Sequence, residues 1–226
     1  MNNATRGVGL NKQFVEAREL TFANYGCILV DIPKELFDKI KVEAENAIQQ
    51  NNTMISGLTG NGVPEHFNLK DDYRQELDAF VMTMVKKYFD TFEVYKRSFR
   101  CLTDNTQLVC GTPWFNFQKK YEFVPVHVHD GVLSYSAWIN IPYNRPDEHT
   151  HGKEFAGCFQ FSCQTITGQW SSQEIFIDKS YEGKLLIFPS SLPHCVYPFY
   201  SSDDYRISLS GNVLFDTHNS RVEGTT

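Results

Sequence analysis

Beyond about residue 100 the apolar residues stop recurring at every third or fourth position and begin to alternate. That change of period constrains the fold more than any other feature. Before it, Leu36, Phe37, Ile40, Ala44, Ala47 and Ile48 mark the buried stripe of a helix over 34–50, entered at Pro33 and left at Asn51-Asn52. A second helix is expected over 71–89, where Leu77, Phe80, Val81, Met84, Val85 and Tyr88 share a stripe and Asp71-Asp72 suit its positive end. Tyr25 to Asp31 reads as an edge strand, and the glycine-rich Gly57 to Pro64 as a loop, either a surface connection or a cover over a ligand site. After it, aromatic and β-branched runs broken by Gly, Pro, Asn and Asp predict strands near 112–118, 121–129, 133–141, 157–163, 174–178, 184–188, 194–198 and 205–215. Eight short antiparallel strands behind a helical segment fit an α+β fold: a cupin-like jelly roll, or double-stranded β-helix, with the N-terminal helices packed on one sheet.

At 226 residues the chain suits one domain, divided into a helical preface (1–100), a jelly-roll core (101–216) and a flexible tail (217–226). A net charge of −6 gives no overall positive field, which argues against nucleic acid or an anionic membrane as partner. The first residues have no apolar signal-peptide core, and no apolar run is long enough to span a bilayer, so a cytoplasmic protein is expected. The six cysteines form no CxxC pair, which argues for reduced core thiols over a zinc ribbon or redox motif.

The candidate chemistry lies in the strand region. If 125–129 is extended, His127 and His129 project from one face and Val126 and Val128 from the other. A third histidine, His194, follows the apolar strand that ends at Pro189. One histidine on a strand is usually structural, but three so arranged suit divalent iron, which takes imidazole and carboxylate on one triangular face. His149 and His151 form a second His-x-His within Pro142 to Ala156, a segment too polar for a core; solvated histidines of a mobile flap are the better reading.

The last strand is the most specific. Arg206, Ser208, Ser210 and Asn212 share one face, and Ile207, Leu209 and Val213 the other. A guanidinium inside a barrel needs a partner, and its fork matches a carboxylate. That carboxylate belongs either to a bound acid or to a structural Asp or Glu; on the arginine alone the two readings are even.

Pro113-Trp-Phe-Asn116-Phe-Gln118, Pro125-Val-His-Val-His129, Leu133-Ser-Tyr, Gly183-Lys-Leu-Leu-Ile-Phe-Pro-Ser190, His194-Cys-Val-Tyr-Pro198 and Arg206-Ile-Ser208 follow one another in an order that resembles the iron(II)- and 2-oxoglutarate-dependent oxygenases. The likeness covers about residues 110–215, is prolyl-hydroxylase-like, and is nearest the small members encoded by marine cyanophages. It implies a dioxygenase that hydroxylates a substrate with Fe(II), 2-oxoglutarate and O2, releasing succinate and CO2. By the resemblance His194 is the distal iron ligand, Arg206 and Ser208 receive the distal carboxylate of 2-oxoglutarate, and Asn116 and Gln118 add polar contacts. The family at large has His-x-Asp or His-x-Glu as its proximal ligands, whereas this chain has His127-Val-His129. The metal set is therefore His127, His129 and His194, with Asp130 as a competing ligand or a partner of the ligands. Two alternatives stand beside it: a jelly-roll binding or structural module without chemistry, and a cupin-like metal dioxygenase without 2-oxoglutarate. The substrate, small molecule or macromolecule, is not encoded in any motif.

Overall fold

The computed structural model describes residues 25–49, 54–55, 65–68, 73–98, 107–148 and 153–216. The Gly57 to Pro64 loop, His149, His151 and the tail at 217–226 lie outside them. The elements in order are β1 (Ile28–Asp31), α1 (Lys34–Gln49), β2 (Met54–Ile55), β3 (Glu65–Asn68), α2 (Arg74–Thr91), α3 (Glu93–Ser98), β4 (Leu108–Cys110), β5 (Trp114–Gln118), β6 (Val124–His127), β7 (Leu133–Asn140), α4 (Arg145–Glu148), β8 (Cys158–Gln164), β9 (Trp170–Phe176), β10 (Lys184–Pro189), β11 (His194–Val196) and β12 (Arg206–Phe215).

Two antiparallel sheets carry the jelly roll. The larger runs β1-β10-β7-β12-β5-β3-β2, with β4 also on β12; the smaller runs β6-β11-β8-β9. The eight expected strands correspond to β5 through β12, and the expected edge strand is β1. Alternation divides the larger sheet into two chemistries. Phe115, Phe117, Ala137, Ile187, Leu209 and Val213 turn outward to the stripes of α1 and α2, joining Leu36, Ile40, Leu77, Val81 and Tyr88 in one apolar cluster. The opposite face meets the smaller sheet, where Trp138, Leu186 and Phe188 pack with Phe159, Phe161 and Phe199. The interior polar residues sit on that second face.

Gly211 shows how tightly the strands are fitted. A Cβ there would lie 2.3 Å from the Tyr135 hydroxyl, so the ring of Tyr135 crosses β12 only over a glycine.

Three expectations need correction. The strand expected over 174–178 starts and ends earlier, as β9 over Trp170–Phe176, because it pairs along that whole length with β8. The strand expected over 121–129 is confined to Val124–His127, because Tyr121 takes a left-handed turn (φ 71°) and the chain leaves the ladder after His127. The polar segment from Pro142 to Ala156 is anchored in its described part. Tyr143 and Glu148 are buried, and the Glu148 carboxylate accepts the backbone N–H groups of Tyr200 at 2.7 Å and Ser201 at 2.8 Å. A charged residue enters a core when its oxygens find such donors, and composition cannot reveal that. Five described cysteines, Cys27, Cys110, Cys158, Cys163 and Cys195, are free thiols. No described helix is long and apolar enough to cross a membrane.

Candidate metal and anion site

A cavity of about 420 Å³ opens between the sheets, lined at one part by three histidines and at another by Arg206. His127 on β6 and His194 on β11 are direct cross-strand partners, so their side chains fall on the same face. His129 lies beyond β6, held by its backbone N–H to the Ser190 carbonyl at 2.9 Å. Exposed Val126 and Val128 show that the alternation continues past the ladder's end. One ring nitrogen from each of the three lies within 4.8 Å of the others. Among the described residues this is the group able to hold a metal ion.

Backbone carbonyls set which nitrogen is offered. His127 Nδ1 is 2.8 Å from the Pro125 carbonyl and His194 Nδ1 is 2.9 Å from the Leu192 carbonyl. A carbonyl only accepts, so Nδ1 carries the proton in both rings and Nε2 keeps its lone pair for a metal. Burial, then the charge of His127, pushes the His129 pKa down to about 4 against the opposing pull of Asp130. His194 is driven to about 3, chiefly by burial, opposed by its bond to the Leu192 carbonyl and reinforced by His127 and His129. Phe159 stacks on its ring at 5.3 Å, and Phe188 meets it edge-on at 5.0 Å. These two imidazoles are neutral at pH 7, the state a metal requires. The donor set fits divalent iron, for which imidazole is a suitable ligand.

Asp130 is exposed and lies outside the three-residue group. Gly131, at φ +105°, turns the chain there. A Cβ on it would be 2.6 Å from the Val213 carbonyl, so glycine alone fits against β12.

Arg206 opens β12 directly across from Gln118 on β5, and Ser208 faces Asn116 in the same register. The guanidinium is buried. It donates through Nε to Gln118 Oε1 at 3.0 Å and through Nη2 to the same oxygen. It also donates through Nη1 to the Tyr143 hydroxyl at 2.7 Å and the Gly157 carbonyl at 3.4 Å, and through Nη2 to the Tyr197 carbonyl at 2.8 Å. No carboxylate among the described residues pairs with it, so the alternative of a structural ion pair is not found there. The Asn116 amide donates to Ser208 and Ser210 at 3.2 and 3.1 Å, which fixes a polar row along the cavity wall. Tyr143 and the two carbonyls on Arg206 were not legible in the chain. Their one signal was a tyrosine at the start of a polar segment.

Residues 112–212 match the family model described as "Putative 2OG-Fe(II) oxygenase". The matched stretch, a little under half of the chain, is similar to the 2OG-Fe(II) oxygenases. Among solved structures, the chain is similar to a prolyl-4-hydroxylase of Pseudomonas putida (14% identity, 83% of this chain and 91% of that one, TM-score 0.56). It is similar also to a prolyl hydroxylase of Trichoplax adhaerens solved with a hypoxia inducible factor peptide (12% identity, 84% and 83%, TM-score 0.51). A third is a non-heme α-ketoglutarate-dependent carbocyclase of nogalamycin biosynthesis (10% identity, 85% and 80%, TM-score 0.51). At such identities the likeness is one of fold, the jelly roll of the prolyl-hydroxylase-like oxygenases. No curated protein matches the sequence.

Proposed function

We propose that the protein is a non-haem Fe(II)- and 2-oxoglutarate-dependent oxygenase that hydroxylates a small-molecule or macromolecular substrate. The observation that carries this reading is the convergence on one cavity of three imidazoles and a buried guanidinium that no described carboxylate neutralises. The order of the sequence motifs supports kinship with the small phage-encoded members.

His127, His129 and His194 would hold the metal, the first and last through Nε2 because Pro125 and Leu192 engage Nδ1. Iron with 2-oxoglutarate supplies the oxidising power: O2 is consumed, succinate and CO2 are released, and a C–H bond is hydroxylated. Arg206 anchors the distal carboxylate, with Ser208 beside it on the strand. The aromatic surround of Trp114, Trp138, Phe159 and Phe188 keeps water away from the reacting end and leaves an apolar wall for substrate.

Anaerobic titration with ferrous iron and then 2-oxoglutarate tests this, read at the visible charge-transfer band of the chelate. The band should appear in the wild type and be lost in Arg206→Ala with iron still bound. Absence of iron binding would leave a binding module. Iron without the band would indicate a metal dioxygenase that does not use 2-oxoglutarate.

A further inference from the structure

An arginine has five N–H groups to satisfy, and around Arg206 neutral oxygens take all of them. The orientation of the Gln118 amide follows from the donors. Arginine presents only N–H groups, so the atom facing it is Oε1, and the amide nitrogen turns to the Glu122 carbonyl. Nε and Nη2 form an edge of the guanidinium that binds a carboxylate bidentately. Here a single neutral oxygen bridges that edge.

The other acceptors are fixed. Tyr197 and Gly157 present main-chain carbonyls whose own residues are bonded through N–H to Cys158 and Pro198. The Tyr143 ring stacks on Phe199 at 5.0 Å and is pressed by Gly157, where a Cβ would lie 2.9 Å away. Gln118 differs in kind. It is a side chain with three rotatable torsions, held, besides its bonds from Arg206, by its amide N–H on the Glu122 carbonyl, and it lines the same cavity as the three histidines and Arg206.

We propose that Gln118 gates Arg206: its amide oxygen and the distal carboxylate of the 2-oxo acid compete for the same two N–H groups, so binding requires Gln118 to swing off the fork. The proposal rests on the reading of Arg206 as the co-substrate anchor. It changes the part assigned to Gln118, from a contact of the co-substrate to its competitor. It also confers selectivity, because a charged carboxylate is a stronger acceptor than an amide and displaces it, whereas a neutral group at that end of a ligand does not.

The test is calorimetric titration of 2-oxoglutarate, under anaerobic conditions, into the full chain carrying one equivalent of ferrous iron. Wild type, Gln118→Ala, Gln118→Glu and Arg206→Ala are compared. Gln118→Ala frees the fork and should tighten binding by about tenfold, a change of one hydrogen bond's order. Gln118→Glu places a carboxylate on the fork and should weaken binding by about a hundredfold or more. A merely structural glutamine would weaken binding in both. Binding in Gln118→Ala that equals or falls below wild type, with binding lost in Arg206→Ala, overturns the gate alone. Unchanged binding in Arg206→Ala overturns the anchor and the gate together. Should Gln118→Glu fail to fold, Gln118→Ala decides by itself.

Discussion

A buried imidazole serves a metal only while it stays neutral, and the fold secures this for His129 and His194 by withdrawing them from water. The cost appears in acid. Their folded pKa values, about 4 and about 3, lie below the ordinary value of 6.5. Between those limits the unfolded chain binds protons that the native chain refuses, so stability rises with pH across that window. The contribution is complete above pH 6.5 and is lost as pH falls through about 4 and then about 3. Metal-free protein should therefore show a urea midpoint that declines from pH 6.5 to 4, with a shallower slope in His194→Gln. Equal slopes for the two proteins would show that His194 is not held neutral by its surroundings.

At the scale of elements, β12 does most to join fold and site. Its alternation sends Ile207, Leu209 and Val213 to the helices while Arg206, Ser208 and Ser210 line the cavity. Opposite Arg206, the segment around α4 brings Tyr143 to the guanidinium and ties itself down through Glu148. Glu148→Ala would leave the amides of Tyr200 and Ser201 unpaired in a part-buried position, costing ~2–4 kcal/mol. Hydrogen exchange should then accelerate at those two amides while the β7–β12 ladder keeps its protection. A uniform loss of protection would mean that the anchor holds up the whole sheet instead of one segment.

On the scale of the whole molecule, the larger sheet separates a stability layer from a chemical one. Leu77 is wholly buried between α2 and the sheet, on the face away from the histidines. Leu77→Ala should cost ~2–5 kcal/mol in denaturant unfolding. Iron affinity, measured at a temperature where the variant is folded, should stay at the wild-type value, and a tenfold change would show that strain crosses the sheet. The two apolar clusters, one under the helices and one between the sheets, give the separation its physical basis.

The sequence by itself determined the periods, and hence the elements. Stripes at 3.6 and alternation at 2 marked α1, α2 and the eight strands, because a side chain's face is set by its own backbone geometry. It also marked His127, His129, His194 and Arg206 as residues worth bringing together. Their meeting depended on long-range pairing of β6 with β11 and of β5 with β12. Tertiary structure alone decided that Asp130 is exposed, that Glu148 is buried, and that Gln118, Tyr143 and two carbonyls surround the guanidinium. Those outcomes depend on which donor meets which acceptor across the barrel, and a local pattern carries no record of partners so distant in the chain.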